Sequence, residues 1–112
     1  MPNHFIPLQE AIDITKKFRD ERENILDPTY QNKDILMLSE TFDRNDLDTL
    51  LSQSDCVAFR IYLSMDNNLL VKTIMVGVNS NNEDILTTGA ELIMEHGDRC
   101  PPFPVPQSPL NS

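Results

Sequence analysis

Residues 56–79 read CVAFRIYLSMDNNLLVKTIMVGVN, and the alternation within them decides the fold. In the first half every odd position is apolar (Val57, Phe59, Ile61, Leu63 and Met65), whereas the even positions hold Cys56, Ala58, Arg60, Tyr62 and Ser64. A period of two is the mark of a strand, and it predicts that the odd face is buried. In the second half, Leu70, Ile74, Val76 and Val78 share one face and Leu69, Val71, Thr73, Met75 and Gly77 the other, with Lys72 the only charge. Apolar groups on both sides predict an inner strand covered on both faces, or one face held for a partner. Between the runs, Asp66, Asn67 and Asn68 tolerate positive φ and close a short loop, so the stretch is an antiparallel hairpin.

Upstream of the hairpin, Asp43 is placed as a helix N-cap, with Phe42 and Leu47 at the two positions of a hydrophobic staple and Asp46 adding a carboxylate at the positive helix end. A helix over residues 44–52 follows, with Leu47, Leu50 and Leu51 inward and Asp46 and Asp48 outward. So short a helix is marginal alone and must pack on the sheet. The run Ile35, Leu36, Met37, Leu38 predicts an extended segment against the hairpin, and residues 24–33, interrupted by Pro28, form a loop. Residues 7–23 form the first helix, with Pro7 suited to its first turn and Leu8, Ala11, Ile12, Thr15 and Phe18 as one stripe. Glu10, Asp13, Lys16, Lys17, Asp20 and Glu21 make its solvated face.

Downstream, residues 79–84 form a polar turn, and Ile85 and Leu86 start a third extended piece. Residues 90–96, AELIMEH, followed by Gly97, read as a short helix with a glycine stop. From Cys100 onward, CPPFPVPQSPL is too rich in proline for helix or inner strand and predicts a polyproline-like strap.

The net charge of −9 argues against binding a nucleic-acid backbone or an anionic membrane surface, and leaves a basic partner, a cation or solubility as its use. After Asn24 there are 13 acidic against five basic residues, so most of the excess lies outside the first helix. The first 18 residues show neither a signal peptide nor a membrane span, which predicts a cytoplasmic location. In that reducing setting Cys56 and Cys100 stay thiols, with Cys56 a small packing residue on the less apolar strand face.

With three glycines, none in a nucleotide-binding arrangement, a phosphate loop is excluded. Neither His4 nor His96 is tied to a nucleophile and an orienting acid. A calcium loop lacks its alternating ligands and central glycine. The one constellation is His96, Asp98 and Cys100, preceded by Glu95, which offers part of a metal site or an imidazole-activated thiol. The structural alternative is that Cys100 anchors the strap and His96 ends a helix. The tail also spaces Pro101 with Pro104 and Pro106 with Pro109 as proline-recognising grooves require, although Phe103 and Val105 between them suit a structural strap. Arg60 and Tyr62, adjacent on the even strand face, are a candidate contact surface.

Leu8-x-x-Ala11-Ile12, Glu40-Thr41-Phe42, Phe59-Arg60-Ile61-Tyr62, Val76-Gly77-Val78, Asp84-Ile85-Leu86 and Arg99-Cys100-Pro101-Pro102 together give the chain a pattern that resembles an uncharacterised family of short bacterial proteins. The resemblance implies no activity, substrate or cofactor, and where that family carries a second cysteine in a C-P-P-x-C ending this chain has Pro104.

The expectation is therefore an α+β domain over residues 1–99, with a small antiparallel sheet built on the central hairpin and packed by two helices, and a proline-rich tail over 100–112. Its expected function is a non-enzymatic interaction module, self-associating or docking a basic protein, without cofactor, nucleic acid or membrane. The alternative is a small metal- or thiol-dependent enzyme centred on His96 and Cys100, and a small-ligand carrier is a third.

Overall fold

The computed structural model describes residues 3–112; Met1 and Pro2, the start of the expected domain, lie outside the described residues. In chain order the elements are α1 (Leu8–Glu21), a 3-10 turn (Pro28–Tyr30), β1 (Ser39–Thr41), α2 (Arg44–Leu51), β2 (Cys56–Met65), β3 (Val71–Asn79), β4 (Ile93–Met94) and β5 (Asp98–Cys100). The fold is α+β with antiparallel sheets and a central hairpin. The three-stranded sheet runs β2-β3-β4, and β1 pairs with β5 in a separate two-stranded sheet.

The hairpin forms where the alternation places it, with Ile61 opposite Met75 and Arg60 opposite Val76. Asp66 organises the loop, its Oδ1 accepting from the backbone N–H groups of Asn68 and Leu70, while Leu69 takes φ 67°. As an inner strand, β3 is buried on both faces from Met75 to Val78.

Asp43 caps α2 as its sequence position requires, accepting from the N–H of Asn45 at 3.1 Å. Leu50, 1% exposed, packs on Met75 and Met94, with Phe42 and Leu47 closing over the same cluster. At eight residues α2 is about 12 Å long. It therefore buries Met75 on β3 but leaves Ile61, the cross-strand neighbour on the same face, in solvent. The expected burial of the odd face of β2 fails for this reason: Val57, Phe59, Ile61, Leu63 and Met65 are all exposed.

A second departure follows from a β-bulge. The register shifts between Cys56 and Ala58, making Val57 the extra residue and placing Cys56 opposite Asn79. Its thiol thereby comes within 3.0 Å of the point where a side chain on Gly77 would begin, instead of lining up with Ala58 and Arg60. The third departure is residues 90–96, which form no helix. Ile93 and Met94 pair with Val76 and Met75 along the free edge of β3, and His96 takes φ 62°. Pairing the open edge satisfies backbone groups that a single helical turn would leave free. Gly97 is required for close approach: a Cβ there would lie 2.6 Å from Glu40 Cγ and 2.7 Å from Phe42 Cζ.

Ile35 is buried and its carbonyl accepts from Val71 N–H at 2.8 Å, so the expected extended segment does lie against the hairpin, although regular pairing begins only at Ser39. Arg99, 5% exposed, locks this region. Its guanidinium donates to the carbonyls of Asp34 (2.5 Å), Ile35 (2.7 Å), Val71 (2.9 Å) and Pro101 (3.1 Å). Helix α1 begins at Leu8, with Pro7 as its extended N-cap in place of the expected first-turn residue, and buries no residue. It is fastened at its C-terminal end, where Arg22 donates to the Leu36 carbonyl and Arg19 to the carbonyls of Leu110 and Ser112. The proline-rich tail is thus tied back to α1. The radius of gyration is 16.2 Å, against about 13 Å for a close-packed domain of this length.

Candidate interaction surface

The largest departure from an ordinary monomer surface is the odd face of β2. Phe59 (46% exposed), Ile61 (55%), Leu63 (77%) and Met65 (58%) stand in one row along an edge strand whose outer side has no partner among the described residues, and Val57 (55%), the extra residue of the bulge, is exposed at its start. Large side chains repeat here because the strand alternates, and they remain open because the buried side of α2 packs on Met75 and Met94 instead of on them. Scattered exposed apolar residues are normal in proteins, but an uninterrupted row on an unpaired edge is the arrangement that other chains bind.

On the even face, Arg60 and Tyr62 are brought together as their spacing implies, and both engage Asp84. Arg60 Nη1 donates to Asp84 Oδ1 at 2.5 Å, and the Tyr62 hydroxyl donates to Oδ2 at 2.5 Å. Arg60 Nη2 also donates to Asn82 Oδ1 at 2.6 Å. The Tyr62 hydroxyl, and after it the guanidinium, hold the Asp84 carboxyl below its usual range, while the same hydrogen bond raises the Tyr62 phenol. The Arg60 guanidinium is raised in turn by Asp84. These polar ends are fixed to their own chain, with Tyr62 still 41% exposed.

His96 and Asp98 line a cleft of about 490 Å3 between β4 and the start of α2, together with Asp43, Asp46, Glu95, Phe42 and Leu50. It is acidic, with four carboxylates around one imidazole. Asp48 is not part of it and pairs with Arg44 at 3.5 Å. Cys100 lines a different hollow, formed with Leu38, Pro104, Val105 and Asn111 of the tail. His96 and Cys100 therefore open onto separate clefts. Among the described residues no three His, Cys, Asp or Glu side chains gather in an arrangement that could hold a metal ion. No described helix is long and apolar enough to cross a membrane.

Two features escaped the sequence reading. The row on β2 was legible as a row, and the only sign that it stays open is that one eight-residue helix is too small to cover a hairpin of this length. Arg99 has no sequence signal as a clamp, since its acceptors are backbone carbonyls from three separate segments.

Fold and surface together define a small α+β protein with one long, apolar, unpaired sheet edge. No family model, no curated protein and no solved structure matches the chain.

Proposed function

We propose that the chain is a non-enzymatic protein-interaction module whose contact surface is the odd face and outer edge of β2. The observation that carries this reading is the row of four exposed apolar side chains from Phe59 to Met65 on an edge strand, with Val57 exposed at the bulge that precedes it. Burying such a row gains on the order of 25 cal/mol per Å2 of apolar surface. An unpaired edge adds backbone donors and acceptors that a partner strand can satisfy. The acidic cleft around His96 provides charge for a basic partner, and it opens at the β4 side of the sheet, with β3 between it and the row. The reading draws nothing from the thiol of Cys100.

The test is native mass spectrometry of untagged protein purified gently from its own cells, comparing the wild type with the double variant Ile61→Lys/Leu63→Lys. The expected result is a wild-type spectrum carrying added polypeptide mass, either a second copy or another protein, that the variant loses. A bare single-chain mass for the wild type would overturn the reading.

A further inference from the structure

We propose that residues 104–112 form a latched strap, hinged at Arg99 and fastened by Arg19, whose release uncovers the hollow that holds Cys100 while the sheets stay folded.

The Arg99 clamp makes the hinge. Its carbonyl accepts from Phe103 N–H at 3.0 Å and its guanidinium donates to Pro101 O at 3.1 Å, so the tail is fixed to the body as far as Phe103. Beyond that point the attachment changes in kind. Among the described residues, the segment 104–112 makes only two hydrogen bonds to the rest of the chain, both from Arg19, whose Nη1 donates to Leu110 O at 2.6 Å and Nη2 to Ser112 O at 2.8 Å. No residue of the segment is buried, and Val105 is its one half-buried apolar side chain other than proline.

The strap meets this latch preformed. Asn111 Oδ1 accepts from Ser108 N–H (2.9 Å), Asn111 Nδ2 donates to Pro106 O (3.0 Å), and the Ser112 hydroxyl donates to Ser108 O (2.8 Å). The turn thus holds its shape by its own bonds and presents two carbonyls to one planar guanidinium. On α1 the charge is available for them. Lys16 pairs with Asp20, and Arg22 with Glu23 and Asp34, whereas Arg19 makes no ion pair among the described residues.

Between hinge and latch the strap crosses a hollow of about 330 Å3, lined by Pro104, Val105, Gln107 and Asn111 from the strap and by Leu38 and Cys100 from the body. The body side has its own support: Leu38 N–H donates to Cys100 O at 2.8 Å, and β5 is paired with β1. The segment that moves and the segment that it covers are therefore held by separate bonds, which is the condition for a local opening that costs less than global unfolding.

Thiol labelling of the full chain with N-ethylmaleimide, resolved by peptide mapping so that the two cysteines are timed separately, tests the strap. Cys56 sits beside Gly77 in the three-stranded sheet, outside the hollow, and is the internal reference. Arg19→Ala removes both bonds of the latch and should speed Cys100 labelling about tenfold, while Cys56 keeps its wild-type rate. Arg19→Lys, with one point charge for two carbonyls, should fall between. Asn111→Ala, which takes the turn apart and leaves Arg19 in place, should also speed Cys100. Unchanged Cys100 labelling in Arg19→Ala or in Asn111→Ala overturns the proposal, as does equal acceleration of Cys56, which would report loosening of the whole fold. A wild-type Cys100 that already reacts as fast as it does in the urea-unfolded chain overturns it too, since nothing would then be covered.

Discussion

Arg99→Met separates a structural clamp from a surface arginine. The methionine keeps most of the apolar stem and removes the guanidinium, which is 5% exposed and donates to four main-chain carbonyls. All four carbonyls lose their charged donor, but Ile35 O retains the N–H of Val71, so the loss falls mainly on the other three. Hydrogen bonds to a charged group contribute about 1.5–3 kcal/mol each, but water reaches the flanking tail, and releasing a buried charge returns part of the loss. We expect a net destabilisation of about 3 kcal/mol. For a domain of this size that lowers Tm by roughly 12 °C. Thermal unfolding followed by circular dichroism, together with a urea midpoint, measures it. Arg99→Lys should recover less than half, because one ammonium cannot span acceptors from the loop, β3 and the tail. A change below about 0.5 kcal/mol for Arg99→Met would refute the clamp, since ordinary surface substitutions fall in that range.

Asp84→Asn should change the pH response. A carboxyl depressed in the fold contributes stability that is present above its unfolded value near 3.9 and is lost as pH falls through the lower folded value. The wild-type advantage in Tm over Asp84→Asn should be full from about pH 5 to 8 and shrink below about pH 4. In the same variant, phenolate absorbance should show Tyr62 ionising at lower pH than in the wild type, because its acceptor is no longer anionic; superposed titrations would contradict the network. Gly97→Ala should destabilise by about 1–3 kcal/mol in urea unfolding, because Glu40, which the new Cβ would strike, is held by Thr73 through both N–H and hydroxyl. Gly89→Ala has open space around it and a φ of 81°, and should lose only about 1 kcal/mol from backbone strain.

Periodicity and capping were sufficient for the two helices and the hairpin, but not for β1, β4 and β5. The hairpin is written in the alternation from Val57 to Val78, and α2 in Asp43 with its Phe42 and Leu47 staple. Alternation reports which side chains share a face, but not what lies over that face. Ile61 and Met75 are neighbours on one side of the sheet, and their opposite fates depend on the length and position of α2. The bulge that turns Cys56 is equally silent in the sequence, since no glycine or proline marks it. Residues 90–96 misled because their apolar spacing suits a helical turn, while the deciding factor was the vacant edge of β3, a tertiary feature. Of the candidate residues, Arg60 and Tyr62 were correctly placed side by side, but their shared acceptor, Asp84, lies 22 residues beyond Tyr62 in the chain.

The sheet has two unequal edges, and that inequality sets how far association can go. One edge is the ten residues of β2; the other is β4, only two residues long. A chain with two long apolar edges would add copies head to tail without closing, whereas self-association through β2, if that is the partner, would use the one long edge of this sheet among the described residues and stop at two. The nearest carboxylates are turned towards their own chain: Asp55 accepts from Ser80, Asp66 from the hairpin loop, and Asp84 from Arg60 and Tyr62. The strip thus stays free of charge while the remaining surface carries the net negative charge that opposes less specific contacts. For such self-association, sedimentation velocity at rising concentration should therefore show monomer giving way to dimer and no larger species. Continued growth beyond two chains would mean that a second surface, α1 being the most exposed, also associates.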